Sequence, residues 1–242
     1  VYIYNLRTDK YVHLYSSKDD PYSLSDNAVY SLCEDREGGI WVGSYFGGVD
    51  YYPKSYTYFE KYYPKDGDNN LHGKRVREFC EDNKGILWIG TEDGGLNRFD
   101  PKTKTFSFFA PSFGFTNIHG LCMVGDKLWV GTFSKGLKIV DTNTGNILKT
   151  YQKNDSPRSL IDNSIFAICR TTTGDIYLGT MFGLLRYNEQ TDDFDRIEEL
   201  AGRFVYDIKE DSGGNLWLAT YVNGAYCYNV SEKKWKNYVH NE

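Results

Sequence analysis

The chain repeats itself. VYSLCEDREGGIWVGSYFGGVDYYPKSYTYFEKYY runs from Val29 to Tyr63, and VREFCEDNKGILWIGTEDGGLNRFDPKTKTFSFF from Val76 to Phe109. Related copies occupy Ile118–Tyr151, Ile165–Ile197 and Phe204–Tyr238. Their anchor residues are Trp41, Trp88, Trp129, Tyr177 and Trp217, spaced by 47, 41, 48 and 40 residues. A period of roughly 40–50 residues is that of a propeller blade. Val1–Tyr15 matches only the back half of a copy.

Each copy reads as four short strands. In the first they are A (Val29–Asp35), B (Ile40–Ser44), C (Gly48–Tyr52) and D (Thr57–Tyr63). The A–B turn carries Asp-x-x-Gly, as in Asp82-Asn83-Lys84-Gly85, which is hairpin chemistry. The B–C turn ends in x-Gly or Gly-Gly, and the C–D turn is a polar loop such as Asp100–Lys104. Composition agrees, with 17% aromatic residues and 24 glycines, as many short strands and tight turns require. The expected fold is therefore all-β: a β-propeller of four-stranded antiparallel blades, five complete and one half. Each anchor aromatic is expected to pack one blade on the next. The small residue two places later (Gly43, Gly90, Gly131, Gly179, Ala219) is expected to admit the neighbouring blade closely.

The run EDNKGILWIGTEDGGLNRFD, Glu81–Asp100, resembles the two-component regulator propeller repeat. So do the SLSDN and SLIDN segments at Ser23–Asn27 and Ser159–Asn163. The copies depart from that pattern at Tyr177, at Ala219 and at the shortened A–B turn of Gly125-Asp126. The resemblance implies a periplasmic sensor segment of a hybrid two-component protein, responding to oligosaccharides and controlling a histidine kinase. It also implies a seven-bladed parent ring, of which this chain would be a piece that cannot close on itself. A parent of that kind would be anchored by a transmembrane segment outside this chain, and would offer a route to a homodimer.

The formal net charge of −5 and the lack of a basic block argue against nucleic acid as a partner. No apolar run reaches the ~18 residues of a membrane-spanning helix. The four histidines, at 13, 72, 119 and 240, form no catalytic or metal motif, and neither a G-x-S-x-G elbow nor a P-loop is present. No enzyme, metal or cofactor is expected. Lys65–Asn70 lacks the acidic order of a calcium loop and reads as a polar loop. Cys33, Cys80, Cys122 and Cys169 share one register position of strand A, where the fifth copy has Lys209. Equivalent strands about 10 Å apart are too distant for a disulfide, so these read as small buried hydrophobes, and Cys227 too is expected unpaired.

Strand order puts the B–C loops and D–A connections on one face and the A–B and C–D turns on the other. The turn face repeats the same chemistry, whereas the loop face varies between copies, and variation marks where function can be grafted. Its candidate ligand contacts are Tyr45, Phe46, Glu92, Asp93, Phe133, Lys135, Phe182, Tyr221 and Asn223. The second position of strand A varies as well and adds Arg77 and His119. Aromatic faces ringed by polar groups suit the apolar C–H face and hydroxyl rim of a sugar. An oligosaccharide is the leading ligand. A non-catalytic protein-interaction or dimerisation propeller is the alternative, and a lyase or hydrolase on the same fold the third reading.

Overall fold

The computed structural model describes residues 1–20, 22–54, 60–65, 67–109 and 117–240. The chain divides into two compact units, Val1–Asp66 and Gly67–Glu242. In the first, strands β1 (Tyr2–Asn5) and β2 (Lys10–His13) form a hairpin. Strands β3 (Val29–Glu34), β4 (Ile40–Ser44) and β5 (Val49–Tyr52) form a three-stranded antiparallel sheet. The expected strand D of this repeat is not seen. Thr57–Phe59 lie outside the described residues, and Glu60–Tyr63 form no strand. Their side chains engage the 17–23 loop instead. The Lys61 ammonium sits 3.5 Å from the Tyr22 ring centroid, and the Tyr63 hydroxyl donates to the Asp19 carbonyl.

The second unit holds four four-stranded antiparallel meanders. Sheet two is β6 (Val76–Glu81), β7 (Leu87–Thr91), β8 (Gly95–Asp100) and β9 (Thr105–Phe108). Sheet three is β10 (Ile118–Val124), β11 (Lys127–Thr132), β12 (Leu137–Asp141) and β13 (Ile147–Tyr151). Sheet four is β14 (Ile165–Arg170), β15 (Ile176–Thr180), β16 (Gly183–Asn188) and β17 (Asp193–Ile197). Sheet five is β18 (Val205–Glu210), β19 (Leu216–Thr220), β20 (Ala225–Asn229) and β21 (Lys234–Tyr238). Among the described residues the only helical turn is Glu198–Leu200. First strands of successive sheets lie side by side, β6 to β10 to β14 to β18, as blades of a β-propeller do.

The junctions between sheets share one recipe. The β-branched residue opening each first strand sits on the glycine two places after the preceding anchor. A Cβ added at Gly90 would come within 2.6 Å of Ile118, at Gly131 within 2.8 Å of Ile165, and at Gly179 within 2.9 Å of Val205. Those separations are closer than non-bonded carbons tolerate, so only glycine lets the sheets pack at this spacing. The anchors Trp88, Trp129 and Tyr177 are buried accordingly, whereas Trp217 in the last sheet is 39% exposed and Trp41 in the first unit is 45% exposed. The expectation that every anchor is a buried contact between blades therefore holds for three of the five.

The turn aspartate holds the anchor as well as the turn. Asp82 Oδ1 accepts from the Lys84 and Ile86 backbone N–H groups, while Oδ2 accepts from Trp88 Nε1 at 3.1 Å. Asp35 does the same for Trp41 at 3.0 Å and Asp211 for Trp217 at 2.9 Å. A buried indole N–H without a partner costs free energy, and the carboxylate removes that cost for Trp88. Cysteine burial is more varied than the sequence suggests. Cys227 is buried, Cys80, Cys122 and Cys169 are half-buried and Cys33 is exposed on β3. Burial pushes the Cys122 and Cys169 thiols up to about 11, so both are protonated at neutral pH.

Candidate ligand site

Every first strand carries a β-bulge at its second residue. The ladder skips from Val76 to Glu78, Ile118 to Gly120, Ile165 to Ala167 and Val205 to Asp207. A bulge leaves the extra residue out of the pairing pattern and re-aims its side chain. In the second unit Arg77, His119, Phe166 and Tyr206 are the four residues so released, and they form one cluster. Arg77 Nη1 donates to the Tyr206 hydroxyl at 2.7 Å, and its guanidinium lies 4.6 Å from that ring centroid. It also pairs with Glu92 at 3.4 Å. Phe166 stands edge-on to His119 at 4.7 Å and stacks beside Tyr206 at 5.8 Å. Phe133, from a B–C loop, closes on His119 at 5.6 Å and on Phe166 at 6.0 Å.

The polar atoms here are unusually idle. His119 is only 5% exposed, yet neither ring nitrogen has a hydrogen-bond partner, nor do Arg77 Nε and Asn117 Oδ1. Buried polar groups are nearly always paired, so these four atoms are exceptions to that rule. Burial, helped by the Arg77 charge, lowers His119 to about 4, which leaves a neutral imidazole able both to donate and to accept. At Arg77 lies a cavity of about 540 Å³ lined by residues including Arg77, Glu78, Glu92, Tyr206 and Asp207. Burial raises the Glu78 carboxyl to about 7, with Asp207 adding to the shift and Lys209 and Arg77 opposing it.

Of the residues expected from sequence, Arg77, Glu92, His119 and Phe133 come together. Asp93 is spent on the loop, where Oδ1 accepts from the Lys74 and Arg75 backbone N–H groups. Phe182 and Tyr221 are exposed on neighbouring loops, and Tyr221 approaches the cluster through Phe204 at 5.7 Å. Lys135 is exposed on the Phe133 loop, and Asn223 is half-buried on the Tyr221 loop. Tyr45 and Phe46 belong to the first unit, where their rings meet at 4.3 Å and Tyr45 meets Tyr30 at 5.0 Å. Sequence reasoning missed Glu78 and Asp207. The position after the bulge is Ser31, Gly120 or Ala167 elsewhere, so two acids among small residues were the available signal. Among the described residues no cluster of three or more His, Cys, Asp or Glu could hold a metal ion. Nor is any helix long and apolar enough to cross a membrane.

Comparison with known proteins agrees with this architecture. The family model described as two component regulator propeller matches residues 23–46, 70–93 and 199–222. No curated protein matches by sequence. Among solved structures, the extracellular domain of the B. thetaiotaomicron hybrid two component system BT3049 aligns over 96% of this chain, at 25% identity and TM-score 0.59. That of BT4673 aligns over 99%, at 17% identity and TM-score 0.58, and shows the fold alone. So does PorZ, a surface component of the type-IX secretion system of Porphyromonas gingivalis, with 88% covered, 18% identity and TM-score 0.57. This chain spans 30%, 40% and 34% of those three proteins. The chain is a β-propeller segment in which three stretches match the two-component regulator propeller repeat, and it is similar to the extracellular domain of a hybrid two-component system.

Proposed function

We propose that this segment is a periplasmic ligand-sensing propeller, that it binds an oligosaccharide at the bulge cluster, and that occupancy controls a histidine kinase elsewhere in the parent protein. The observation that carries the reading is the convergence of four bulged residues on unpaired polar atoms beside exposed aromatic rings. A sugar needs an aromatic face, supplied by Phe133 and Tyr206. It also needs donors and acceptors for its hydroxyls, supplied by His119, Arg77, Glu92 and Asp207. No side-chain set here assembles a nucleophile with its base, and we read the segment as non-catalytic.

Calorimetric titration of the purified segment against plant, host and microbial oligosaccharides tests this reading. A saturable heat is expected for at least one, weakened tenfold or more by Phe133→Ala combined with Tyr206→Phe. Affinity unchanged in that double variant, with its melting temperature preserved, would move the site elsewhere. Self-association without any sugar would favour the interaction-module reading, for which exposed Phe182, Tyr221 and Val222 supply the apolar surface.

A further inference from the structure

On the turn face, A–B turns bridge from one sheet to the next. Asn83 Nδ2 in the second sheet's turn donates to the Gly125 carbonyl at 3.3 Å, and Lys84 Nζ donates to Asn143 Oδ1. In the fourth sheet's turn, the Thr172 backbone N–H and hydroxyl both donate to the Glu210 carboxylate, at 2.8 and 2.9 Å. Between sheets three and four no such bridge is formed among the described residues. The cause is legible in the pairing. Cys80 faces Trp88 and Cys169 faces Tyr177, eight residues apart in each case, but Cys122 faces Trp129 after only seven. The third turn, Gly125-Asp126, is thus one residue shorter, and Gly125 adopts φ +64° at its first position, as a two-residue hairpin loop demands.

Two consequences follow from this single deletion. Val124 stands where Asp82 and Asp211 stand in sheets two and five, so the Trp129 indole N–H has no acceptor among the described residues. The junction also opens into a groove of about 1040 Å³. Trp129 lines the groove, with Tyr187 edge-on to it at 4.9 Å. Asp192 accepts from Lys149, Tyr151 and Tyr187 at once, which fixes the groove's wall in advance of any ligand. Four Lys or Arg and five Asp or Glu side chains line it, so the charges nearly balance. A polyanion or polycation would meet as much repulsion as attraction there. A neutral molecule that both donates and accepts hydrogen bonds would meet partners throughout.

We propose that this inter-blade groove is a second binding site, on the face opposite the bulge cluster, and that it takes a neutral oligosaccharide. One sugar ring lies against the Trp129–Tyr187 edge and a hydroxyl accepts from Trp129 Nε1. Arg170, Arg186, Asp175 and Gln190 serve the outer hydroxyls. The inference stands on the short turn and does not need the bulge-cluster reading.

The test replaces the four residues 124–127 with the five that sheet two uses there, Asp-Asn-Lys-Gly-Ile. This lengthens the turn, gives Trp129 its carboxylate and closes the groove. The graft is expected to melt no lower than the wild type. Maltohexaose, xylohexaose and mannohexaose are titrated by calorimetry, with hexagalacturonate as the charged comparator. At least one neutral hexasaccharide is expected to bind the wild type and the Phe133→Ala/Tyr206→Phe variant alike. The same sugar is expected to bind tenfold or more weakly to the graft and to Arg170→Ala/Gln190→Ala, whose exposed side chains can be lost without unfolding. No binding by any neutral hexasaccharide, binding of hexagalacturonate alone, or binding retained in the folded graft each overturns the proposal. Binding lost in the Phe133/Tyr206 variant but kept in the graft overturns it while leaving the bulge-cluster site standing.

Discussion

Replacing Glu78 by Gln removes a carboxyl that the fold holds protonated beyond its usual range. Burial raises it from its ordinary 4.5 to about 7. Between those values the folded chain holds a proton that the unfolded chain releases. Glu78 therefore contributes stability that is fully present below about pH 4.5 and is lost as pH rises through 7. Each pH unit is about 1.4 kcal/mol, so the full swing is roughly 2–3 kcal/mol once the partial solvent access of this half-buried group is discounted. His119 works in the opposite sense. Its value falls from 6.5 to about 4, so the unfolded chain holds the extra proton between them, and stability is lost as pH falls through that window. In the wild type the two contributions nearly cancel between about pH 4.5 and 6.5, and stability there is flat as far as this pair is concerned. Glu78→Gln uncovers the histidine alone. Urea denaturation at pH steps from 4 to 8 should show the stability of Glu78→Gln relative to wild type rising by about 2–3 kcal/mol over the series, because only the wild type must bury a carboxylate at pH 8. Taking the change in the difference removes any constant effect of the amide. A difference that stays level across the series would refute the claim that Glu78 is buried beside Asp207 with its proton retained.

Two further outcomes test the scaffold. Asp82→Ala should cost about 2–4 kcal/mol in urea denaturation, since it strands the buried Ile86 backbone N–H and the Trp88 indole and releases the part-buried Lys84 N–H. A loss below about 1 kcal/mol would mean that water replaces the carboxylate. Gly131→Ala should lower stability by about 1–3 kcal/mol in thermal melts, because the new methyl meets the Ile165 backbone carbonyl at 3.0 Å as well as its side chain, and the carbonyl belongs to a ladder that cannot yield. A neutral result would show that the sheets are free to part at that junction.

Much of the scaffold was legible because it repeats. Anchor spacing and hairpin turns recur in the four sheets of the second unit, and the glycine after the anchor does its one physical job in three of them, at Gly90, Gly131 and Gly179. The second use of the turn aspartate was legible too, though only as a correlation. Asp35, Asp82 and Asp211 accompany Trp41, Trp88 and Trp217, while Thr171 accompanies Tyr177, which has no indole to satisfy. What could not be read was anything set by distance between copies. Arg77 and Tyr206 are 129 residues apart, and nothing local announces their hydrogen bond. After β5, Lys61 and Tyr63 likewise find their partners at a distance in the chain, in the 17–23 loop.

The bulge explains why one position of the first strand tolerates Arg, His, Phe and Tyr while the residue before it is Val or Ile in every copy. The residue before it must be β-branched to sit on the glycine of the preceding sheet, and the residue after it re-enters the ladder. Regular pairing would point the middle residue at an adjoining sheet, where a change from Phe to Arg would bury a charge at a cost of several kcal/mol. Released from the ladder, its side chain meets its counterparts from other sheets, His119 with Phe166 and Phe166 with Tyr206, so substitution there changes the site while the ladders stay paired. Turn length has the same effect on the opposite face. A two-residue loop in place of three leaves β10 and β11 paired to their ends, Val124 opposite Lys127, while removing a bridge and exposing an indole N–H. In both places one residue, added or removed where the ladder does not count it, converts a structural repeat into a position that can differ from blade to blade. A propeller whose blades pack by one recipe can thereby carry unlike binding surfaces on its two faces.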